Sequence, residues 1–411
     1  MARFEQGRLT RIARLLMCTA VAGCSAAWDK PGNPTDLNSD GAYMAERADM
    51  PAKVIEGKVS AERWNAARCT TQPPAAGQAV SLAPSSDLMP LSPGDLVRIT
   101  LPGDDAPSGT YKVGSDGALA LDGVGRFPVA GISVQQAQAD LAKRLVAMGH
   151  YRSGFARVTL RLLDRAAVRV TVSGAVFQAG QVTINQRAPT ESDNLRQAAT
   201  GDHAIGRSLS AALANAAGVR PDADIKNIVV EHAGARQTVD LSGLIDGRPV
   251  NDVLLVDGDT IHVPSRNCFQ AKLARPSPIT PAGVRVFLSN LTTPASSNAS
   301  SAVGRDQTSL PYGTRFLQAL VSANCVGGTQ TTNADRWAVL ISNNPISGES
   351  EVIERRIEGL VRRPDRDGFN PVMLPGDAVA CYDSAFTNLR DVLRSVGDIA
   401  LSATVARAVV K

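Results

Sequence analysis

The sequence of 411 residues lacks a charge bias, a long apolar run and the signatures of the common enzyme classes. Its 43 Lys and Arg residues nearly balance its 39 Asp and Glu residues, which excludes a strongly basic nucleic-acid-binding protein. No run reaches the roughly 18 apolar residues of an ordinary transmembrane helix. Hydrophobic residues nevertheless make up 44% of the chain, enough for two or three globular domains with cores of their own.

Motifs that carry catalysis or cofactor binding are also missing. There is no Gly-x-Ser-x-Gly, no Walker loop, no Gly-rich dinucleotide loop and no carboxylate pair in a recognisable catalytic setting. No Cys-x-x-Cys or Cys/His cluster has zinc spacing. We therefore predict a protein that is not an enzyme and has no cofactor and no metal. The histidines are expected at the surface: His150, His203, His232 and His262.

The first 23 residues have the features of a secretory signal peptide. Four arginines precede an apolar run over residues 15–23, which is too short to span a membrane as a stable helix. The run ends in Val-Ala-Gly-Cys at residues 21–24, which resembles a bacterial lipobox. This resemblance implies a mature chain that starts at a lipidated Cys24, with Ser25 permitting transfer to the outer membrane and the bulk of the protein in the periplasm. The alternative is a soluble secreted protein that is cleaved nearby.

Export places the remaining cysteines in an oxidising compartment, where disulfides form. Four cysteines remain after Cys18 is removed with the signal and Cys24 is modified: Cys69, Cys268, Cys325 and Cys381. They permit three pairings. We favour a disulfide between Cys325 and Cys381 because both fall in the last domain, and four unpaired buried thiols are the alternative. Without residues 1–23 the chain has 39 basic and 38 acidic residues, so its mature body is nearly neutral.

A globular domain is predicted over residues 87–164, after an irregular, extended arm over residues 24–86. The domain reads as strand, strand, short strand, helix and strand. Ser133 is a favourable helix N-cap, and apolar residues recur at helical spacing from Val134 to Leu145.

An internal repeat fills the next part of the chain. Each copy has strands, one short helix, a further strand and a final turn and strand, which predicts two β-grasp-like domains, over residues 165–266 and 267–383. The aligned segments are 208–219 with 315–326, 228–230 with 339–341, 241–244 with 357–360, and 252–259 with 370–377.

A Gly-Asp turn recurs at Asp95, Asp259 and Asp377. Glycine adopts the positive φ that such a turn needs, and the aspartate side chain accepts hydrogen bonds from nearby backbone N–H groups. Because the turn recurs in the same context before a strand, we interpret these aspartates as structural, against the alternative of an acidic site.

This ordered series of motifs resembles the outer-membrane polysaccharide export family, the capsule and exopolysaccharide translocons. The segments 93–99, 113–117 and 125–133 resemble its polysaccharide-export domain, and the repeats resemble its soluble-ligand-binding β-grasp (SLBB) domains. The resemblance implies an α+β chain in which a polysaccharide-export domain precedes two β-grasp-like domains and a C-terminal amphipathic transmembrane helix. It also implies a homo-oligomer, an octamer in the family, that carries a polysaccharide polymer with an inner-membrane co-polymerase or tyrosine-kinase-type partner.

The last 28 residues, 384–411, have the pattern of an amphipathic helix. Such a helix would be about 42 Å long against a hydrocarbon core of about 30 Å. In a closed ring of identical helices the polar faces would line a water-filled lumen, and the resemblance implies such a pore. Its lumen-facing residues would be Arg390, Asp391, Arg394, Ser395, Asp398 and Ser402, and its lipid-facing residues Leu389, Val392, Leu393, Val396, Ile399 and Ala400.

Alternatives remain for the tail and for the whole chain. The tail helix would also suit packing on the last β-grasp domain, a position flat on the membrane surface, or a coiled coil. The sequence favours an export channel, and the alternative is a periplasmic lipoprotein whose β-grasp domains hold a small ligand or glycan without a pore.

Overall fold

A computed structural model describes residues 43–48, 61–69, 89–101, 104–152, 154, 156–186, 204–290, 309–326 and 336–382. These residues form six α-helices and sixteen strands, which confirms the mixed α+β class predicted from the sequence. The chain divides into two compact units. One unit is Asn65–Ala282, and the other combines Met1–Trp64 with Gly283–Lys411.

The first domain covers residues 89–164, with five strands and one long helix. β1 lies between β2 and β5 and is antiparallel to both, while β3 and β4 form a separate hairpin. The Ser133 hydroxyl accepts a hydrogen bond from Gln136 N at 3.2 Å, so it caps α2 as predicted. Leu141 and Leu145 of α2 are buried in the core with the strands. The elements are β1 Leu96–Leu101, β2 Asp104–Lys112, β3 Ala118–Leu121, β4 Gly125–Pro128, α2 Val134–Ala147 and β5 Thr159–Asp164, preceded by α1 Ala61–Cys69.

The first repeat is a five-stranded mixed sheet with α3 packed into its core. Its strand order is β7-β6-β10-β8-β9, and only the β6–β10 pair is parallel. Leu209 and Leu213 of α3 are fully buried in the same core as the strands. The elements are β6 Val168–Gly174, β7 Gly180–Ile184, α3 Leu209–Asn215, β8 Ile228–His232, β9 Ala235–Val239, α4 Gly243–Asp246 and β10 Thr260–Val263.

The second repeat pairs its strands as the first does but divides them between two sheets. The larger sheet has the order β12-β16-β14-β15, with β12 and β16 parallel. In the smaller sheet β11 pairs with β13, as the start of β6 pairs with the end of β7 in the first repeat. Phe316 and Leu320 of α5 are fully buried, as are their counterparts in α3. The elements are β11 Gly283–Arg285, β12 Phe287–Asn290, β13 Ser309–Pro311, α5 Phe316–Ser322, β14 Trp337–Asn343, β15 Ser350–Arg356, α6 Ile357–Arg362 and β16 Ala378–Tyr382.

Equivalent contacts at the two helix starts support most of the sequence alignment. Asp252 Oδ1 accepts a hydrogen bond from Ser210 N at 3.1 Å, and Asn370 Oδ1 accepts one from Leu317 N at 2.9 Å. The sequence alignment of residues 228–230 with residues 339–341 is wrong by one residue. Val230 pairs with Ile261, and Leu340 pairs with Val379, so Val230 corresponds to Leu340 and not to Ile341. Two apolar strands align almost equally well in either register, whereas only one register places alternate residues in the core.

The boundary between the repeats lies later than expected. The sequence placed it between residues 266 and 267, but Leu273 and Ile279 are buried in the core of the first repeat. Val219 N also donates a hydrogen bond to Ile279 O at 2.8 Å. The compact units therefore divide between Ala282 and Gly283. The misplaced segment has no long periodic element, and its few apolar residues do not reveal which core they fill.

Two disulfide bonds are present. Cys325 is bonded to Cys381 within the second repeat, the pairing that the sequence favoured. Cys69 at the end of α1 is bonded to Cys268, 199 residues away. Cys24, the Ser-rich stretch 294–301 and the tail 384–411 lie outside the described residues. Within the described ranges, every helix is too short or too polar to cross a membrane.

Candidate functional site

The three Gly-Asp turns share one internal geometry. In each, the aspartate Oδ2 accepts a hydrogen bond from the backbone N–H three residues earlier, and the preceding glycine has a positive φ. The donors are Ser92, Val256 and Leu374, at 2.9, 2.9 and 2.8 Å, and the glycines Gly94, Gly258 and Gly376 have φ of 92°, 88° and 88°. All three carboxylates are buried. Each aspartate therefore closes its own turn, in agreement with the structural interpretation.

The second carboxylate oxygen of Asp95 contacts the first repeat. Asp95 Oδ1 accepts hydrogen bonds from Arg207 Nη2 at 2.5 Å and from Ala166 N at 2.9 Å. Arg165 Nη1 lies 3.6 Å from Asp95 Oδ2, and the three charged side chains are at most 2% exposed. Since Arg207 immediately precedes the Ser208 cap of α3, this ionic cluster fixes the first domain against the first repeat.

Asn185 and Gly206 complete the same joint. Asn185 Nδ2 donates to the carbonyl oxygens of Arg165 and Ala166 at 2.7 and 3.2 Å, and Arg207 Nε donates to Ala166 O at 2.8 Å. A Cβ on Gly206 would lie 2.4 Å from Asn185 Oδ1, so only glycine allows this approach. The joint is thus made of hydrogen bonds whose partners are fixed by close packing.

Asp259 has a different second partner. Its Oδ1 lies 2.6 Å from His232 Nδ1, and the His232 side chain is 48% exposed. Burial raises the pKa of Asp259, and the hydrogen bonds from Val256 and His232 only partly offset that effect. This turn therefore binds a neighbouring strand of its own repeat rather than another part of the chain.

Asp377 connects to the N-terminal arm through a serine. Its Oδ1 accepts a hydrogen bond from Ser342 Oγ at 2.5 Å, and Ser342 Oγ accepts one from Arg47 Nη2 at 2.7 Å. Arg47 Nη1 binds Glu351 Oε2 at 3.0 Å, with both side chains fully buried. Burial raises the pKa of Asp377, and the positive charge of Arg47 opposes this. The second repeat thus holds a residue of the arm in its interior.

Residues 83–163 match the family model described as polysaccharide biosynthesis/export protein. The matched residues include β1 to β4, α2 and all but the last residue of β5, together with the Asp95 turn, and end before the first repeat. This agrees with the resemblance found in the sequence, which predicted such a domain over residues 87–164. We call this part of the chain the polysaccharide-export domain.

Beyond the polysaccharide-export domain, the two repeats differ on the outward faces of their sheets. In the second repeat a row of apolar side chains crosses four strands, on the sheet face opposite to the buried Leu340 and Val379. Two members of the row are exposed, Phe287 by 69% and Ile341 by 44%. The same row in the first repeat is polar. The row in the second repeat is Phe287, Ala378, Ile341 and Val352, and its counterpart in the first is Thr171, Thr260, Glu231 and Arg236.

The three turns hold parts of the chain together. Each carboxylate has a hydrogen-bond partner at both of its oxygens. Among the described residues no group of His, Cys, Asp and Glu side chains is arranged to hold a metal. Cys24 and every residue assigned to the tail helix lie outside the described residues.

Sequence reasoning did not find the partners of the turns. Arg207 follows a polar stretch of the first repeat, and Arg47 is 304 residues away from Glu351. A lone arginine in a polar segment is typical of a solvated surface, and nothing local distinguishes one that becomes buried.

Replacement of Arg207 by alanine is expected to lower the free energy of unfolding by about 3–5 kcal/mol, because Asp95 then stays buried without its closest counter-charge. Denaturant unfolding of the full chain measures the loss. Arg126→Ala is the control, since its ion pair with Asp116 is exposed and such pairs contribute only about 0–1 kcal/mol. Equal losses in the two variants would contradict this assignment.

The Asp259→Asn variant should gain folding stability relative to the wild type as pH rises. Burial raises the pKa of Asp259, so the folded chain holds this proton more tightly than the unfolded chain. The stabilising contribution of the protonated group is complete below about pH 3.9 and is lost as pH rises through the folded pKa. Asparagine has no such dependence. Between about pH 4 and 7, the unfolding midpoint of Asp259→Asn should rise relative to that of the wild type. The midpoint of Asp116→Asn, a change at an exposed carboxylate, should not.

Proposed function

We propose that the protein is an outer-membrane lipoprotein that forms a channel and exports a capsular polysaccharide or exopolysaccharide from the periplasm to the cell surface. The observation that carries this proposal is the match of residues 83–163 to polysaccharide biosynthesis/export proteins. The matched domain is joined by the buried Asp95–Arg207 pair to a repeat that follows it in the chain. A conduit of this kind needs no catalytic group, because polymerisation or an inner-membrane partner supplies the energy.

The proposed assembly is a ring of identical chains. Cys24 is lipidated, the two repeats act as SLBB domains in the periplasm, and residues 384–411 of each chain form the pore. A single amphipathic helix cannot span lipid because its polar face has no partner there, whereas a closed ring gives that face a water-filled lumen. The resemblance to the export family suggests eight subunits and an inner-membrane co-polymerase or tyrosine-kinase-type partner.

The apolar row on the second repeat supports self-association. Phe287 and Ile341 are large apolar side chains exposed on one sheet face, and neighbouring strands extend the patch through Ala378 and Val352. Exposed apolar patches of this kind mark interaction surfaces. We assign the row to a second copy of the chain, since the proposed pore exists only when identical chains meet.

Deletion of residues 384–411 tests the pore directly. We expect polymer to disappear from the cell surface while the periplasmic body stays folded, because the deletion removes only the proposed membrane segment. Surface polymer is measured by immunoblot of whole cells, and retention of the Cys325–Cys381 disulfide reports the folded body. Continued export by the deletion variant would overturn the pore.

The assembly is tested by Phe287→Asp, with Thr171→Asp as the matched control at the equivalent position of the first repeat. We expect the mass of the detergent-extracted particle to fall for Phe287→Asp, because a charge replaces the exposed ring at the proposed contact. Thr171→Asp should leave the particle intact. A wild-type protein that is a stable monomer would favour a periplasmic binding lipoprotein instead, and an unchanged particle in Phe287→Asp would remove the row from the interface.

A further inference from the structure

The two repeats carry different side chains at one equivalent place beside the turn aspartate. Thr260 and Ala378 directly follow the two aspartates and pair with Glu231 and Ile341. His232 and Ser342 come one residue after these partners and are therefore equivalent. Both contact Oδ1 of their aspartate, at 2.6 and 2.5 Å. On the adjacent strand, His232 pairs with Ala235, whereas Ser342 pairs with Glu351. The second repeat therefore has a hydroxyl and a carboxylate where the first has an imidazole and a methyl group.

This difference decides whether a guanidinium can be held. In the second repeat Arg47 Nη1 donates a hydrogen bond to Glu351 Oε2 at 3.0 Å, and Arg47 Nη2 donates one to Ser342 Oγ at 2.7 Å. Glu351 is itself fixed by Asn344 Nδ2, which donates to its Oε1 at 2.8 Å. In the first repeat Ala235 offers no acceptor in its side chain. A buried arginine there would have no carboxylate equivalent to Glu351 on the adjacent strand, and one end of its guanidinium would be left without an acceptor, which is unfavourable.

A second arginine binds the backbone of the same arm segment. Arg355 Nη2 lies 3.3, 3.3 and 3.1 Å from the carbonyl oxygens of Glu46, Arg47 and Ala48. Val239 occupies the equivalent position in the first repeat, because Val239 pairs with Ile228 as Arg355 pairs with Ala338. Met44, Ala45 and Ala48 are almost completely buried. The arm segment is thus bound through its backbone, its arginine and its small apolar side chains together.

We propose that Ser342, Glu351 and Arg355 form a peptide-binding site that recognises arm residues 43–48 and assigns them to the second repeat rather than to the first. The ligand is a short turn-forming peptide with one arginine, whose guanidinium enters the site and whose carbonyl groups accept from Arg355. Charged hydrogen bonds of this kind contribute specificity because their geometry admits few alternatives. This inference goes beyond the proposed function and does not depend on it.

Hydrogen exchange of the full chain, followed by mass spectrometry, tests the site. The amides of Arg47 and Ala48 are bonded to Met44 O and Ala45 O in the docked turn, so their exchange reports docking. Glu351→Gln keeps the shape but removes the charge, and we expect exchange over residues 43–48 to rise at least about tenfold. Glu358→Gln, in an exposed pair with Arg362, is the control and should leave exchange unchanged. Equal behaviour of the two variants would overturn the proposal.

Arg47→Ala tests which repeat the arm selects, without altering the repeats themselves. We expect faster exchange over residues 337–356 and no change over residues 228–239. A change over residues 228–239, or none over residues 337–356, would contradict the assignment.

A peptide added to the Arg47→Ala chain completes the test, and remains decisive should Glu351→Gln fail to fold. A synthetic peptide of residues 41–50 should restore slow exchange over residues 337–356, whereas the same peptide with alanine in place of Arg47 should not. Equal effects of the two peptides, or no effect of either, would show that the arginine is not the recognised group.

Discussion

A buried aspartate that closes its own turn is the interaction on which the rest of this structure depends. It occurs at Asp95, Asp259 and Asp377, each with one oxygen bound to a backbone N–H three residues earlier. A buried carboxylate is unfavourable unless its remaining lone pairs find donors. Each turn therefore requires a second partner, and the partner differs at the three places.

These partners determine what each turn holds. Asp95 binds Arg207 and so joins the polysaccharide-export domain to the first repeat. Asp377 binds Ser342, which passes the contact on to Arg47 of the arm. Asp259 Oδ1 contacts His232 on a neighbouring strand of its own repeat. One turn, repeated along the chain, thus serves a domain joint, an arm contact and a local strand contact.

Local patterns predicted the elements well. Ser133 caps its helix as expected, each Gly-Asp turn is closed by its own aspartate, and the order of strands and helix in the repeat is found in both copies. These features depend on residues close together in sequence, where hydrogen bonding and apolar period are readable directly. The pairing of Cys325 with Cys381 followed from domain membership and is present.

Long-range partners were not predictable in the same way. The Arg47–Glu351 and Asp95–Arg207 pairs join residues 304 and 112 positions apart, and no spacing rule connects them. Residues 273–279 were assigned to the wrong repeat because a segment without regular period does not reveal its core. The one-residue error between β8 and β14 has a related cause, since sheet register is decided by which side chains the core admits.

The role of the second partner is tested most directly by comparing the unfolding free energies of Asp95→Asn, Asp259→Asn and Asp377→Asn near neutral pH. Asparagine keeps the turn acceptor but turns an amide N–H₂ towards the second partner. Asp95→Asn should cost the most, since Arg207 and Ala166 N both donate to the lost oxygen. Asp259→Asn should cost the least, because burial penalises its carboxylate and its second oxygen contacts a half-exposed histidine. Equal losses in all three variants, or the greatest loss at Asp259, would contradict the claim that the second partner gives each turn its role.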